Sequence, residues 1–343
     1  MKALLVLVSF GLPIFLKSQV SFGLNTGVGI GFNAPETFRP KTVYNLCSGQ
    51  GQTKYSVFQT EGKLYFKRSE NMGLSWADST LLYVLPSAGS TMVNNRRVDT
   101  EPRVACDLSG GPFNKRIYVV WSDLKNGKKN LDVFMIFSED EGRQWTEPLL
   151  LSYHPNHKHQ FFPDVLVDPK TGAVYVLYID QQNFLNETRC DVQLATSKNG
   201  GLKFDLQIMN SEVLKFSGSL LPKLILRAEG IHANWDPRLR GIYVDEVTNP
   251  VRGKSGLVLE KKSYRYTKDL SISFELQNES KISVELSKPL DASFHKVILK
   301  QKKFAKGKNE IGLASAFKKL PEDNYIITFY DENGNSFAWI TQE

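Results

Sequence analysis

Apolar residues along the chain gather in short β-type runs, rich in branched and aromatic side chains and bounded by Gly, Asn and Asp. Two of these runs, Arg116 to Asp123 and Ala173 to Asp180, stand in the same setting. The first follows Glu101 to Asp107 and precedes Asp132 to Phe137; the second follows Phe162 to Asp168 and precedes Asp191 to Thr196. A fourth run closes each set, Pro148 to Leu151 in one and Leu206 to Met209 in the other. Four antiparallel strands that recur as a unit predict a propeller blade. A fainter unit spans Val43 to Leu85, and another runs from Pro222 to Val247. With Gly and Pro scattered throughout after the first twenty residues, long helices are excluded and the predicted class is all-β.

Between the third and fourth runs lies a motif that occurs three times: Ser69-Glu70-Asn71-Met72-Gly73-Leu74-Ser75-Trp76, Ser138-Glu139-Asp140-Glu141-Gly142-Arg143-Gln144-Trp145 and Ser197-Lys198-Asn199-Gly200-Gly201-Leu202-Lys203-Phe204. Its form, S-x-[DN]-x-G-x-x-[WF], is that of a tight turn. Asp or Asn accepts backbone N–H bonds, Gly takes positive φ, and the aromatic folds back onto the sheet. Ser69, Asn71, Gly73 and Trp76, Ser138, Asp140, Gly142 and Trp145, and Ser197, Asn199, Gly201 and Phe204 are therefore read as structural. Boxes and blades together resemble the Asp-box propellers of the sialidase-like family. The resemblance covers residues 42–252 and implies a propeller of four or five blades.

Family sialidases use three arginines to grip the substrate carboxylate, a Tyr nucleophile backed by a Glu, and an Asp acid/base. Here the nearest string to the first-arginine motif is Phe38-Arg39-Pro40, which lacks the Ile, and Cys47 to Gln52 supplies neither the Arg nor the Asp that should follow. No catalytic residue is carried over. The arginines to be checked for a cluster are Arg96, Arg97, Arg103, Arg227, Arg238 and Arg240, with Tyr243 and Glu246 as the nearest Tyr-Glu pair. Three apart on a strand, these two face opposite sides.

Blade symmetry brings equivalent positions to one channel face. Arg103 and Asp164 match on first strands; Asp123 and Asp180 end second strands behind Trp121 and Tyr178; Asp132 and Asp191 open third strands. One reading makes these carboxylates caps of turns and strand ends. The other makes the eight residues a glycan site, with rings stacking on sugars and carboxylates accepting hydroxyl bonds. No cofactor is called for. Calcium is the one ion to consider, at the oxygen-rich loops Asp107 to Gly111 and Asp168 to Gly172, although neither has the ligand count of a dedicated loop.

Residues 253–343 carry no box and read as seven short strands, implying a β-sandwich of immunoglobulin-like topology. The succession Ser271 to Leu276, Lys281 to Leu286, Gly307 to Ile311 and Leu320 to Ile327, ending in an Asn-Gly hairpin, resembles the C-terminal sorting domains of type IX secretion cargo in Bacteroidetes. Asn324 replaces the usual Gly, and basic residues are missing at the end. The resemblance implies contact with outer-membrane secretion machinery; otherwise the sandwich braces the propeller or binds a partner.

Met1-Lys2, the apolar stretch Ala3 to Leu16 and Lys17-Ser18-Gln19 have the form of a secretory signal, giving 1–19 as signal peptide and 20–41 as a Gly-rich leader. No later stretch is long enough to span a bilayer. Charge alters the picture little: 43 Lys and Arg against 36 Asp and Glu leave +7 on 343 residues, and the excess, mostly between Lys254 and Lys319, forms no compact run with interleaved aromatics. Nucleic acid is excluded as a partner. Cys47, Cys106 and Cys190 lack zinc spacing and read as buried thiols, with one pair among them left open. The expectation is an exported, cell-surface, non-catalytic propeller binding a glycan or a surface protein; the alternative is a sialidase-like exo-glycoside hydrolase.

Overall fold

The computed structural model describes residues 43–341 apart from 128–129, 153, 155, 186–187, 217–219, 237–241, 245–255, 268–269, 290, 318–319 and 322. The signal and leader segments, Phe38-Arg39-Pro40, Arg238, Arg240 and Glu246 lie outside these residues.

Strands β1 to β4 (Val43–Ser48, Lys54–Thr60, Lys63–Ser69, Thr80–Val84) form one antiparallel meander. A hairpin follows, β5 and β6 (Ser90–Val93, Arg96–Asp99). The second meander is β7 to β10 (Arg103–Cys106, Ile117–Asp123, Asp132–Ser138, Leu149–Leu150). The third is β11 to β14 (Gln160–Val167, Val174–Asp180, Arg189–Ser197, Asp205–Ile208), with β15 (Leu214–Lys215) on β13. Strands β16 to β18 (Lys223–Leu226, Ile231–Asn234, Ile242–Tyr243) make a fourth sheet, three-stranded among the described residues.

Period-two alternation explains why these sheets stack as blades. On β8, Ile117, Val119 and Trp121 face the first blade and pack with Tyr55, Val57, Leu64 and Phe66. Tyr118 and Val120 face the other way, onto Val165, Val174, Val176 and Tyr178 of the third blade. On β12 the opposite set, Tyr175, Leu177 and Ile179, packs with Leu224, Ile231 and Ala233 of the fourth. Each middle sheet is thus buried on both faces, which makes all seven residues of β8, β9 and β12 inaccessible. First strands β1, β7, β11 and β16 touch in succession. Sheet order, shared cores and this inner row define a β-propeller.

The β5–β6 hairpin turns at Asn94-Asn95, both at positive φ. Its Val93 and Val98 bury into the core between the third and fourth blades, so the connection from the first blade reaches across to the far side. The sequence signal for this element is an Asn-Asn pair between two short apolar-containing runs.

C-terminally, β19, β21 and β24 (Leu257–Leu259, Ser271–Leu276, Gly307–Gly312) form one sheet. Strands β20, β26, β25, β22 and β23 (Ser263–Arg265, Asn335–Thr341, Tyr325–Tyr330, Ser280–Lys288, Asp291–Phe304) form a second, with β20 and β26 parallel. A one-turn helix, α1 (Ala314–Phe317), closes their common core of Ile272, Phe274, Val284, Ile327 and Phe329. Residues 156–158, between the second and third blades, and Gln182, just after β12, dock on this second sheet. Lys158 Nζ lies 2.9 Å from Glu285 Oε2, Asn156 donates to Tyr330 Oη at 3.2 Å, and Asn335 Nδ2 donates to the Gln182 carbonyl at 2.8 Å.

Candidate functional site

Boxes and strand-end aspartates lie at opposite ends of the second and third strands. In each box the Ser hydroxyl donates to the Asp or Asn oxygen and accepts the Gly N–H, at 2.9 and 2.9 Å for Ser69, 2.9 and 2.8 Å for Ser138 and 2.9 and 2.9 Å for Ser197. Asn71, Asp140 and Asn199 then accept the N–H of Ser75, Gln144 and Lys203 at 2.9, 2.8 and 3.0 Å. Gly73, Gly142 and Gly201 all have positive φ. Phe204 packs on the core between the second and third blades, and Trp145 on that between the first and second. Trp76 is half-buried.

At the other end, the four strand-end aspartates are buried. Asp123 pairs in register with Asp132, and Asp180 with Asp191. Asp132 accepts from Asn126 and Asn130 at 2.8 and 2.9 Å; Asp191 accepts from Asn183 and Asn210 at 2.8 and 2.9 Å. Asp123 takes the Leu124 N–H at 2.7 Å, and Asp180 takes Gln182 N–H and Gln160 Nε2 at 2.8 and 3.1 Å. Burial pushes the Asp132 and Asp180 carboxyls up to about 7 and raises Asp123. These groups tie blade loops together, so the expectation that they face a ligand is corrected. The same holds for the rings: Trp121 and Tyr178 are 0% and 1% exposed, packed between blades because second strands lie sandwiched on both faces.

Arg103 and Asp164 remain on the channel strands. Arg103 pairs with Val120 on β8 and Asp164 with Leu177 on β12, matching positions of consecutive blades. Arg103 donates to Asn45 Oδ1 on β1 at 2.8 Å and to Glu101 Oε2 at 3.1 Å, and its Nε lies 3.8 Å from Asp164 Oδ1. Asp164 Oδ2 accepts the Leu224 N–H of β16 at 2.8 Å. A line of polar contacts therefore crosses all four innermost strands. The side chains of Arg103, Glu101 and Asp164 are 26%, 38% and 18% exposed. Burial raises the Asp164 carboxyl despite the Leu224 N–H and the Arg103 charge, which act to lower it. Asn45 and Glu101 were not singled out from the sequence; pairing of β1 with β7 across a long gap is invisible to a local pattern.

Of the other arginines, Arg96 and Arg97 lie on the hairpin, Arg97 at 2.5 Å from Asp99, and Arg227 sits in the β16–β17 turn. Among the described residues Arg103 is the one arginine on an innermost strand. Tyr243 lies on β18. In the loops considered for calcium, Asp107 Oδ1 accepts the Ser109 N–H at 2.8 Å, and Asp168 holds Lys170 N–H and Thr171 Oγ1 at 2.9 and 2.7 Å. These are turn-closing bonds, and no group of three or more His, Cys, Asp or Glu among the described residues is placed to hold a metal. The three cysteines are thiols, with Cys106 and Cys190 pushed up to about 12, first by burial.

No protein-family profile matches the chain, and no curated protein does. Among solved structures it is similar to an intramolecular trans-sialidase from Ruminococcus gnavus, at 8% identity and a TM-score of 0.40 over 87% of this chain and 94% of that one. An α-L-arabinanase from Penicillium chrysogenum matches at 11% identity and 0.38, covering 87% and 92%. The α-L-arabinofuranosidase Arb93A from Fusarium graminearum matches at 12% and 0.36, also covering 87% and 92%. Likenesses this distant carry no activity to the chain, and the propeller assignment rests on its own sheets and cores.

Proposed function

We propose that the propeller is directed at carbohydrate and acts as a sialidase-like glycoside hydrolase, with its ligand held where Arg103, Glu101 and Asp164 meet. The observation behind this reading is one partly accessible arginine on a channel strand, flanked by Asp164 of the next channel strand, whose pKa is raised, and by Glu101 just ahead of its own. Most glycosidases pair an acid that keeps its proton for the leaving oxygen with a carboxylate that serves the anomeric carbon or its water, and here that carboxylate would stand in place of the Tyr nucleophile of family sialidases. Asp164 fits the acid, Glu101 the carboxylate, and Arg103 the group that orients a sugar carboxylate or hydroxyl. The second reading is the non-catalytic binder of a glycan or surface protein. It is favoured by Arg103 having no companion arginine on the described inner strands, and by the Leu224 N–H already occupying Asp164.

The signal-like start and the sorting resemblance lead us to propose that this takes place at the cell surface. The immunoglobulin-like topology and sorting role of the C-terminal sheets belong to the same proposal.

Sialyllactose and a panel of neutral and acidic glycans, incubated with the mature chain and followed by NMR, test it. The hydrolase reading expects free sugar, a rate falling as pH rises through the raised Asp164 pKa, and a loss of roughly 100-fold or more in Asp164→Asn with glycan binding kept. Saturation transfer without turnover establishes the binder instead, and silence from both assays removes the carbohydrate reading.

A further inference from the structure

Four of the five histidines, His154, His157, His159 and His295, meet where the 151–159 loop is held between the blades and the C-terminal sheet. His157, Lys158 and His159 are buried there.

The ring nitrogens of the three loop histidines share one arrangement. His154 Nδ1 faces the Asn156 N–H at 3.4 Å, His157 Nδ1 faces Asn130 Nδ2 at 3.4 Å, and His159 Nδ1 accepts the Leu131 N–H at 3.2 Å. Each Nδ1 thus works as an acceptor, which only a neutral imidazole provides. His157 is already committed on its other side, where Nε2 donates to the Lys288 carbonyl of β22 at 2.8 Å. A proton on any Nδ1 places a donor against a donor, inside a region that already holds the Lys158 ammonium.

We propose that this seam is an acid-sensitive latch, in which protonation of His154, His157 and His159 releases the C-terminal sheets from the propeller face they cover. The surrounding charges fix the direction. The Lys158 ammonium acts on His159 as a neighbouring cation and opposes its protonation. On the C-terminal side Glu285 binds Lys158, His295 and the Tyr330 hydroxyl, at 2.9, 3.3 and 2.9 Å; Lys288 pairs with Asp323, and Asp291 lies beside His157. From the blades come Asp132 and Asp180. Four buried polar atoms at the seam, Asn130 Oδ1, Asn156 Oδ1, Gln160 Oε1 and Ser287 Oγ, find no hydrogen-bond partner among the described residues, so the layer is less fully bonded than a permanent core.

Linkage agrees in sign. Burial first, then neighbouring cations, holds His159 down to about 4; burial holds His154 down to about 4 and lowers His157. Detached rings return to about 6.5. As pH falls from about 6.5 towards 4, the detached form takes up protons that the docked form refuses, so His154 and His159 each raise the detachment constant up to about tenfold per pH unit. Glu285, held at about 2 although burial alone would raise it, adds the same sign below its ordinary range. Asp132 and Asp180, whose carboxyls are raised, act oppositely; they are strand ends of the blades, bonded to Asn126, Asn130, Gln160 and Gln182 of their own blades and, among the described residues, to nothing on the C-terminal sheet.

Small-angle scattering and far-ultraviolet circular dichroism of the mature chain between pH 7.5 and 4.5 test the latch. The expected result is a reversible increase in maximum dimension below about pH 6.5 with the strand spectrum unchanged. In His154→Gln/His157→Gln/His159→Gln, whose side chains carry no titrating proton, the expansion disappears. A wild type that stays compact to pH 4.5, or a variant that expands just as the wild type does, overturns the proposal, as does loss of the strand spectrum in step with expansion. NMR titration of the wild-type histidine rings guards against a variant detached at every pH: three rings protonating while the molecule stays compact also overturns it.

Discussion

Gly142 shows how much a single residue decides in this fold. Its φ is +93°, and a Cβ there would run into the Phe66 ring of the preceding blade. Gly51 has positive φ as well but open space around it. Gly142→Ala is therefore expected to cost about 2–4 kcal/mol and Gly51→Ala about 1 kcal/mol, as read by urea denaturation; equal losses would mean that the box glycine is kept for conformation alone. The box chemistry was legible because it is local: Ser, Asp or Asn, and Gly bond to each other within a few residues. Trp121 and Tyr178 were misplaced for the opposite reason. A ring on a strand has two faces to choose from, and only the neighbouring blades decide that both are dry.

At the scale of elements, a box does more than turn the chain. Trp145 packs edge-on against Phe66 with ring centres 5.1 Å apart, so the second box wedges against the first blade. Around the first box, a Cβ on Gly73 would meet only its own Trp76. Trp145→Ala should then cost about 3–4 kcal/mol and Trp76→Ala about 1 kcal/mol, measured by denaturant midpoints. Comparable losses would show that Trp76 has a similar partner. Strand repetition also made the matching of Arg103 with Asp164 legible, since equal offsets within repeated units reach equal heights. The contacts that give the pair meaning were not legible: Asn45 and Leu224 come from blades on either side, and the raised Asp164 carboxyl, on which the predicted loss of activity in Asp164→Asn depends, arises from that enclosure.

For the whole molecule, the seam and the blades respond to acid in opposite ways. Asp132 and Asp180, raised to about 7, contribute stability that is fully present below about pH 3.8 and lost as pH rises through 7. The loop histidines and Glu285 lose theirs as pH falls, so on acidification the seam is expected to open before the blades unfold. The ion pair gives a further test, since Lys158 and Glu285 side chains are 8% and 5% exposed. Lys158→Met leaves the buried Glu285 carboxylate without its ammonium partner, with His295 and the Tyr330 hydroxyl beside it, and should cost about 3 kcal/mol, much of it restored by adding Glu285→Gln. No recovery in the double variant would place the energy in packing instead of charge.

Strand runs, box turns, the blade repeat and the change of composition after the propeller are settled between neighbouring residues and can be read along the chain. All rest on interactions across a few positions, where spacing is geometry. Tertiary structure decided what depends on contacts between distant segments. His154 to His159 and Glu285 to Tyr330 are more than a hundred residues apart, and nothing in either stretch specifies the other. Their meeting follows from blade stacking, which sets where the 151–159 loop emerges, and from the second C-terminal sheet, which puts Glu285 opposite Lys158 in a space too dry for either charge alone.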